Sequence, residues 1–397
     1  MKVYIVTGGG FPNGMASVNR IKCYAKAITH EGVKCEVVIF RRTEVYGKNP
    51  CNTIGEGVCE NIPFKYIGGT PLRGSNVFIR RIHDWNDKRN TIKYFENHLR
   101  EGDVVLEYIG NEVDFTLRLI KTVHQKNAVY VCDLCELPFG TGKETKSTIR
   151  DRKMILKKKF PIIDGVIPIS DSLQDLVQKY ISKNCKVLKV PIMVDFEKYE
   201  LLDRSQDTKV PYIFHSGTLT EQKDGILGMI EAYGIARQKM ANPTKFICTG
   251  DIQNSPHCRE ITKLIGKYQL QEDLVFLGYL SDKQLKNYLS GASLTIINKY
   301  ETQQNQYCFS TKLGEYMAAG KPVIITRVGE AMNYVKNKDT AYIVKPENVH
   351  ELAEEILEVF SNPQEALIVG TKGKDLCKKS FDYHVWGKPL IQFLSNQ

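Results

Sequence analysis

The stretch Phe309-Ser310-Thr311-Lys312-Leu313-Gly314-Glu315-Tyr316-Met317-Ala318-Ala319-Gly320-Lys321-Pro322-Val323-Ile324-Ile325-Thr326 decides how the rest of the chain is read. Ser310 or Thr311 can cap a short helix, and Gly320-Lys321-Pro322 ends it. The residues around Glu315 are small and apolar, so this helix is expected to be packed rather than solvated. A continuous apolar strand follows at once, with no polar alternation, as in a parallel sheet covered on both faces.

The same alternation runs outward in both directions. In the first half, apolar runs fall at Val3–Thr7, Cys35–Phe40, Val104–Tyr108, Ala128–Cys132, Val166–Ile169 and Val187–Val190. Helical stretches such as Ser17–His30, Phe78–Leu99 and Leu173–Ile181 separate them. The pattern restarts with Tyr212–His215, Phe246–Thr249, Leu274–Leu277, Leu294–Ile297, Val323–Thr326 and Tyr342–Val344, spaced by helices that include Ile226–Arg237, Asp282–Leu289 and Val349–Phe360. Strand, helix, strand repeats imply α/β architecture with doubly wound parallel sheets. About six strands per half, interrupted by the polar stretch Asp195–Lys209, favour two Rossmann-like domains over a single (β/α)8 barrel. The expected division is 1–195, 196–380 and a C-terminal helix at 381–397 that packs back on the N-terminal domain.

Composition is that of an ordinary globular protein: 397 residues, 42% hydrophobic and 25% charged. No apolar run reaches the ~18 residues needed to span a bilayer. The opening MKVYIVTGGG reads as a buried strand rather than a secretory segment, and the expected location is the cytoplasm. The eleven cysteines are then expected to be reduced, and Cys132 and Cys135 to be packing residues despite their C-x-x-C spacing. The net charge of +10 is unevenly placed. Residues 1–195 hold 31 Lys+Arg against 21 Asp+Glu, whereas residues 196–397 hold 24 of each. An anionic partner for the N-terminal half follows.

Ligands of open parallel sheets sit beyond the carboxyl ends of the strands, so the loops there are the candidates for chemistry. The first is Thr7-Gly8-Gly9-Gly10-Phe11-Pro12-Asn13-Gly14, in which Gly9, Gly10, Asn13 and Gly14 are expected to line a cleft. It lacks the G-x-G-x-x-G spacing, and Arg41-Arg42 follows the second strand where a dinucleotide fold wants an acid. The second is His215-Ser216-Gly217-Thr218-Leu219-Thr220-Glu221-Gln222-Lys223-Asp224-Gly225, which places Lys223 beside a helix start where it can meet a diphosphate. In the third, the helix after Ser310 offers free N–H groups, Lys312 adds a cation, and Glu315 can accept from paired ribose hydroxyls. No D-x-D, H-E-x-x-H or H-x-x-x-H pattern occurs, so neither metal nor cofactor is expected.

These motifs in this order resemble glycosyltransferase family 4. The run Phe309–Thr326 looks like its nucleotide-sugar-binding helix, and Gly217 with Lys223 like its diphosphate loop. Asp164–Ser170 resembles the end of its N-terminal domain, and Val190–Asp195 the exit into the linker. Phe276–Gly278 and Ala341–Val344 also fall where the family has motifs. The resemblance implies the GT-B architecture with an interdomain cleft, a nucleotide-diphosphate sugar as donor, and front-face attack that retains anomeric configuration. It implies donor contacts from Gly217, Thr218, Tyr307, Phe309, Ser310, Thr311 and Glu315, with Lys223 and Lys312 on the diphosphate. Three positions depart from the family. Tyr307 replaces the first of two glutamates, Thr218 replaces an arginine, and Cys132-Asp133-Leu134-Cys135-Glu136 stands where a histidine often ends a strand. Asp133 or Glu136 then faces the reacting sugar.

The basic half suits a glycan or lipid-diphosphate-linked acceptor at an anionic membrane face, as in polysaccharide assembly. Phe78–Trp85 and Lys143–Lys159 are the segments expected to touch such a surface. Two other classes are weighed. A GT-B sugar-nucleotide epimerase would isomerise donor without acceptor. A basic nucleic-acid-binding protein would explain the charge but not Glu315 or the glycine loops, so no nucleic-acid partner is expected.

Overall fold

A computed structural model describes residues 1–45, 50–139, 145–200 and 210–396. Lys143 and the 201–209 part of the polar stretch between the halves lie outside the described residues. The chain forms two compact units. Unit 1 gathers Met1–Met193, Tyr307–Phe309 and Tyr383–Gln397, and unit 2 gathers Val194–Gln306 and Ser310–Asp382. The division after Met193 lies near the sequence boundary at 195/196, but it also returns Tyr307–Phe309 to unit 1.

Unit 1 contains β1 (Lys2–Thr7), α1 (Ala16–His30), β2 (Lys34–Ile39), β3 (Glu44–Val45), β4 (Glu56–Cys59), β5 (Ile62–Tyr66), β6 (Leu72–Arg73), α2 (Val77–His98), β7 (Val104–Tyr108), α3 (Val113–Gln125), β8 (Val129–Leu134), α4 (Lys146–Lys158), β9 (Gly165–Pro168), α5 (Asp171–Gln178) and β10 (Lys186–Val187). Its main sheet has the order β10-β9-β8-β7-β1-β2-β5-β4, parallel except for β4 against β5. β1 is apolar from Val3 to Val6 because that stretch is covered on both faces. Val3 and Ile5 enter the core built with α1, while Tyr4 packs edge-on against Tyr94 and Phe95 of α2. Strand order reverses between β1 and β7, so the loops after these two strands flank a switch-point crevice.

Unit 2 opens with α6 (Glu197–Glu200) and continues with β11 (Tyr212–His215), α7 (Glu221–Asp224), α8 (Ile226–Arg237), β12 (Lys245–Cys248), α9 (Cys258–Tyr268), β13 (Leu274–Phe276), α10 (Asp282–Gly291), β14 (Leu294–Ile297), α11 (Gln303–Tyr307, whose last residue groups with unit 1), α12 (Thr311–Ala318), β15 (Val323–Thr326), β16 (Tyr342–Val344), α13 (Val349–Ser361) and α14 (Pro363–Ser380). Its sheet is wholly parallel, in the order β13-β12-β11-β14-β15-β16. Here the switch point falls between β11 and β14. The last helix, α15 (Tyr383–Ser395), belongs to unit 1 and packs on α1, with Tyr383, Leu390 and Leu394 in the same core as Ile21, Tyr24 and Ile28.

The continuous apolar runs named in the sequence all become strands of the two main sheets, with β10, β13 and β16 at sheet edges and the rest in the interior. The sequence reading omitted β5, whose Ile62, Phe64 and Tyr66 point inward while Pro63 and Lys65 do not. It lies next to the edge strand and buries one face only, so it alternates instead of running apolar.

Candidate functional site

The switch point of unit 2 is built around one buried carboxylate. The chain leaves β11 through Ser216–Thr220, makes the single turn α7, and passes Gly225 into α8. Gly225 sits at φ +60° and a Cβ there would lie 2.5 Å from the Asn298 carbonyl, so glycine is the residue that fits. Asp224 is 3% exposed. Its Oδ2 accepts from the Thr218 amide at 2.9 Å and the Thr218 hydroxyl at 3.2 Å. Its Oδ1 receives the Lys312 ammonium from α12 and lies 3.7 Å from His215 Nε2 at the end of β11. Gly217 arches over this pair; a Cβ on it would sit 2.5 Å from His215 Nε2 and 2.8 Å from Asp224 Oδ2.

Two further bonds clamp the loop. The Gly217 amide donates to Thr249 Oγ1 at 2.8 Å, and the Ser216 amide donates to the buried Tyr316 hydroxyl at 2.9 Å. Tyr316 belongs to α12, so two side chains of that helix, Tyr316 and Lys312, hold the β11 loop. On the other side Glu221 accepts from the Leu227 amide at 2.8 Å and from the Tyr300 hydroxyl, which fixes α7. The loop's backbone is therefore set before any ligand arrives.

Burial would raise the Asp224 carboxyl, but the charge and hydrogen bond of Lys312 outweigh it and hold the group well below the carboxylate range. Burial, reinforced by the charge of Lys312, lowers the His215 imidazole below 6.5 against the opposing pull of Asp224. His215 thus stays neutral in the folded protein at neutral pH. Acidification below about 6.5 protonates this histidine in the unfolded chain first, so its contribution to stability falls with pH there. Urea midpoints at about pH 7.5 and 5.5 should accordingly differ less in His215→Gln than in the parent. An equal difference in both proteins would mean that His215 titrates normally.

The two lysines expected on a diphosphate are not equivalent. Lys223 is exposed on α7, and its ammonium has no acidic partner among the described residues. Lys312 is bound to Asp224, an ion pair that positions the loop. Thr218, itself exposed, also donates its amide and hydroxyl to Asp224. Ser310 is the N-cap of α12 and Thr311 its first residue, and Glu315 is half-buried one turn on. Tyr307 and Phe309 group with unit 1, where the Ser170 hydroxyl donates to the Tyr307 carbonyl at 2.6 Å. Sequence reasoning gave no role to Asp224, His215, Thr249 or Tyr316.

In unit 1 the glycine loop is held by Asn52. Its side chain accepts from the Asn13 amide at 2.8 Å and donates to the Asn13 carbonyl at 2.9 Å. The Asn13 side chain donates to the Cys51 carbonyl at 2.9 Å, and Gly10 packs beside Asn52 and Thr43. Gly9 donates to Thr7 Oγ1 at 3.0 Å, and a Cβ on Gly14 would press to 2.6 Å from Val18.

Asp133 is a correction. It is fully buried, and its carboxylate is filled by Arg20 (3.1 and 2.9 Å) and the Tyr24 hydroxyl (2.7 Å). Arg20 in turn donates to the Pro191 and Val190 carbonyls at 2.7 and 3.2 Å. This network ties α1 to β8 and to the segment leaving unit 1, and its burial keeps the carboxylate from a sugar. Glu136, of the same segment, is half-buried. Cys132 and Cys135 are packing residues with thiols raised by burial. Lys159, counted in the basic segment Lys143–Lys159, is also a correction. It is buried, with its ammonium on the Ile109 and Gly110 carbonyls at 3.2 and 3.1 Å and 3.5 Å from Glu107.

Residues 202–376 match the family model for glycosyl transferases group 1. A Bacillus subtilis (strain 168) protein described as the uncharacterized glycosyltransferase YqgM is 24% identical over 232 residues, 57% of this chain and 60% of that protein. The chain thus spans about 60% of the length of that relative. Among solved structures, HepE from Anabaena in complex with UDP and glucose superposes with TM-score 0.71 at 14% identity, covering 100% of both chains. Sucrose-phosphate synthase from Thermosynechococcus elongatus gives 0.71 at 17%, covering 100% of this chain and 99% of the other. A TarM variant from S. aureus in complex with UDP among other ligands gives 0.70 at 14%, covering 99% and 100%. The chain has the two-unit α/β fold of GT-B glycosyltransferases, and its second unit carries the similarity to glycosyl transferases group 1.

Proposed function

We propose that this chain is a retaining, metal-independent glycosyltransferase of family 4 that moves a hexose from a nucleoside-diphosphate sugar to an acceptor hydroxyl. The observation that carries the reading is the locked Gly217 loop against α12, at a strand switch point and inside the stretch that matches glycosyl transferases group 1. The HepE structures hold UDP or UDP-glucose, which supports a nucleoside diphosphate as the leaving group.

In this reading the bond from the sugar's anomeric carbon to the diphosphate breaks while the acceptor oxygen bonds to that carbon from the same face. The acceptor proton passes to the departing diphosphate. Negative charge grows on that group, and fixed donors stabilise it more strongly than solvent would. Lys223 and the amides at Ser310 and Thr311 supply this charge complement, so the cationic role falls to the protein and not to a metal ion. Gly217 permits close approach of the phosphates, Glu315 takes the ribose hydroxyls, and Lys312 acts through Asp224. The glycine loop Gly9–Gly14 and Glu136 belong to the acceptor side. The basic N-terminal half supports a glycan or lipid-diphosphate acceptor of surface polysaccharide assembly, met at the cytoplasmic membrane face.

The test is a panel of UDP, GDP, ADP, CMP and TDP sugars, scored for nucleotide release with and without candidate acceptors. Acceptor-dependent release with one base is the expected result. Donor isomerisation without acceptor would replace transfer by epimerisation.

A further inference from the structure

The first turns of α2 are inside out. Val77, Phe78, Ile79, Ile82 and Trp85 are 50, 75, 46, 58 and 59% exposed, the densest group of large exposed apolar side chains on any described helix. Phe78, Ile82 and Trp85 share one face at helical spacing, and Arg89 continues it over the Trp85 ring at 5.6 Å. The buried residues of the helix, Asp87, Thr91 and Phe95, lie on the opposite side. Asp87 stands nine residues from Phe78, half a revolution away at ~100° per residue. The apolar stripe therefore faces away from the protein. Arg81 and Arg89 border it with no acidic partner among the described residues.

The inner polar face fixes where this stripe sits. Arg42, just after β2, binds Asp87 at 3.1 Å and His83 at 3.1 Å. Arg41 reaches Asp84 at 3.3 Å and also Glu112, which follows β7 and takes Lys88 at 2.7 Å. These anchors lie beyond the carboxyl ends of β2 and β7, the ligand edge of the unit 1 sheet. The exposed apolar stripe and the acceptor side of unit 1 are thus at the same edge.

We infer that the N-terminal turns of α2 are an interfacial anchor that inserts Phe78, Ile82 and Trp85 into an anionic lipid surface, and that the acceptor is consequently borne by a lipid in that surface. The inference rests on the acceptor belonging to unit 1 in the transferase reading. An apolar stripe bordered by unpaired arginines matches the acyl boundary and the anionic headgroups together. The surplus of positive charge in residues 1–195 has the matching sign. On α4, Lys146, Arg150, Lys153, Lys157 and Lys158 are exposed beside Ile149 as the one large exposed apolar residue, so that helix adds attraction without insertion.

Trp85 and Trp386 are the two tryptophans, and Trp386 packs against the unit 1 core. In full-length Trp386→Phe protein, the emission of Trp85 reports insertion directly. Vesicles of phosphatidylcholine with about 40 mol% phosphatidylglycerol at about 0.05 M salt should shift this emission to the blue, and brominated acyl chains should quench it. Phe78→Ser with Ile82→Ser should weaken binding at least about tenfold, and Arg81→Ser with Arg89→Ser by about fivefold per arginine. Transfer to a lipid-borne acceptor should fall with the same variants, while transfer to a short soluble analogue stays unchanged. Absence of binding at low salt overturns the inference. Binding without any change in Trp85 emission overturns insertion through α2. Neither result touches nucleotide binding by unit 2, which tests the transferase reading separately.

Discussion

Asp133→Ala is expected to destabilise unit 1 by about 3–5 kcal/mol, because it strands the Arg20 guanidinium in the interior without its counter-charge. The native pair is 2.9 Å apart, and Arg20 is 2% exposed. Both tryptophans lie in unit 1, so fluorescence during urea denaturation follows this unit. Replacing both partners by apolar residues, Arg20→Met with Asp133→Leu, should cost clearly less than the single change. A single mutant within about 1 kcal/mol of the parent would show that the carboxylate is not held by this network. A stable but inactive Asp133→Ala protein would return Asp133 to the chemistry.

Lys223→Ala is expected to lower turnover about 10²–10³-fold, the scale seen when one principal donor to developing charge is removed. The reason lies in its contrast with Lys312. The Lys312 ammonium is bound to Asp224, whereas that of Lys223 has no acidic partner among the described residues. Lys312→Ala should also slow the reaction, but through a loosened loop. Its effect should then be strongly non-additive with Asp224→Ala and nearly additive with Lys223→Ala. Steady-state kcat for the single and double variants decides this. A Lys223→Ala enzyme with near-parental kcat would place that lysine on an idle surface.

The sequence carried the sheet layout because parallel strands covered on both faces are mostly apolar with no regular polar alternation. Val104–Tyr108, Tyr212–His215 and Val323–Thr326 are legible for that reason and keep these bounds. Ile62–Tyr66 was not, since a strand covered on one face carries Pro63 and Lys65 among its apolar residues. Glycine loops were legible through their composition, and Gly217 and Gly225 sit where a side chain would collide. Charge roles were not. Arg20 at a helix position reads as solvent-facing until Asp133 from β8, 113 residues later, is brought beneath it. Lys312 reads as a free cation until Asp224, 88 residues earlier, is found under the Gly217 loop. Neither pairing leaves a local signature, because each depends on tertiary contact between distant elements.

The central claim is that unit 2 binds a nucleoside diphosphate through the edge formed by the Gly217 loop and α12. Calorimetric titration of UDP, GDP, ADP and TDP into the parent and Glu315→Ala proteins tests it most directly. The account predicts that one base binds the parent and that Glu315→Ala weakens it by about 1.5–3 kcal/mol, as for lost charge-assisted hydrogen bonds. Equal affinity in a folded Glu315→Ala protein, or no binding of any nucleoside diphosphate to the parent, would contradict it.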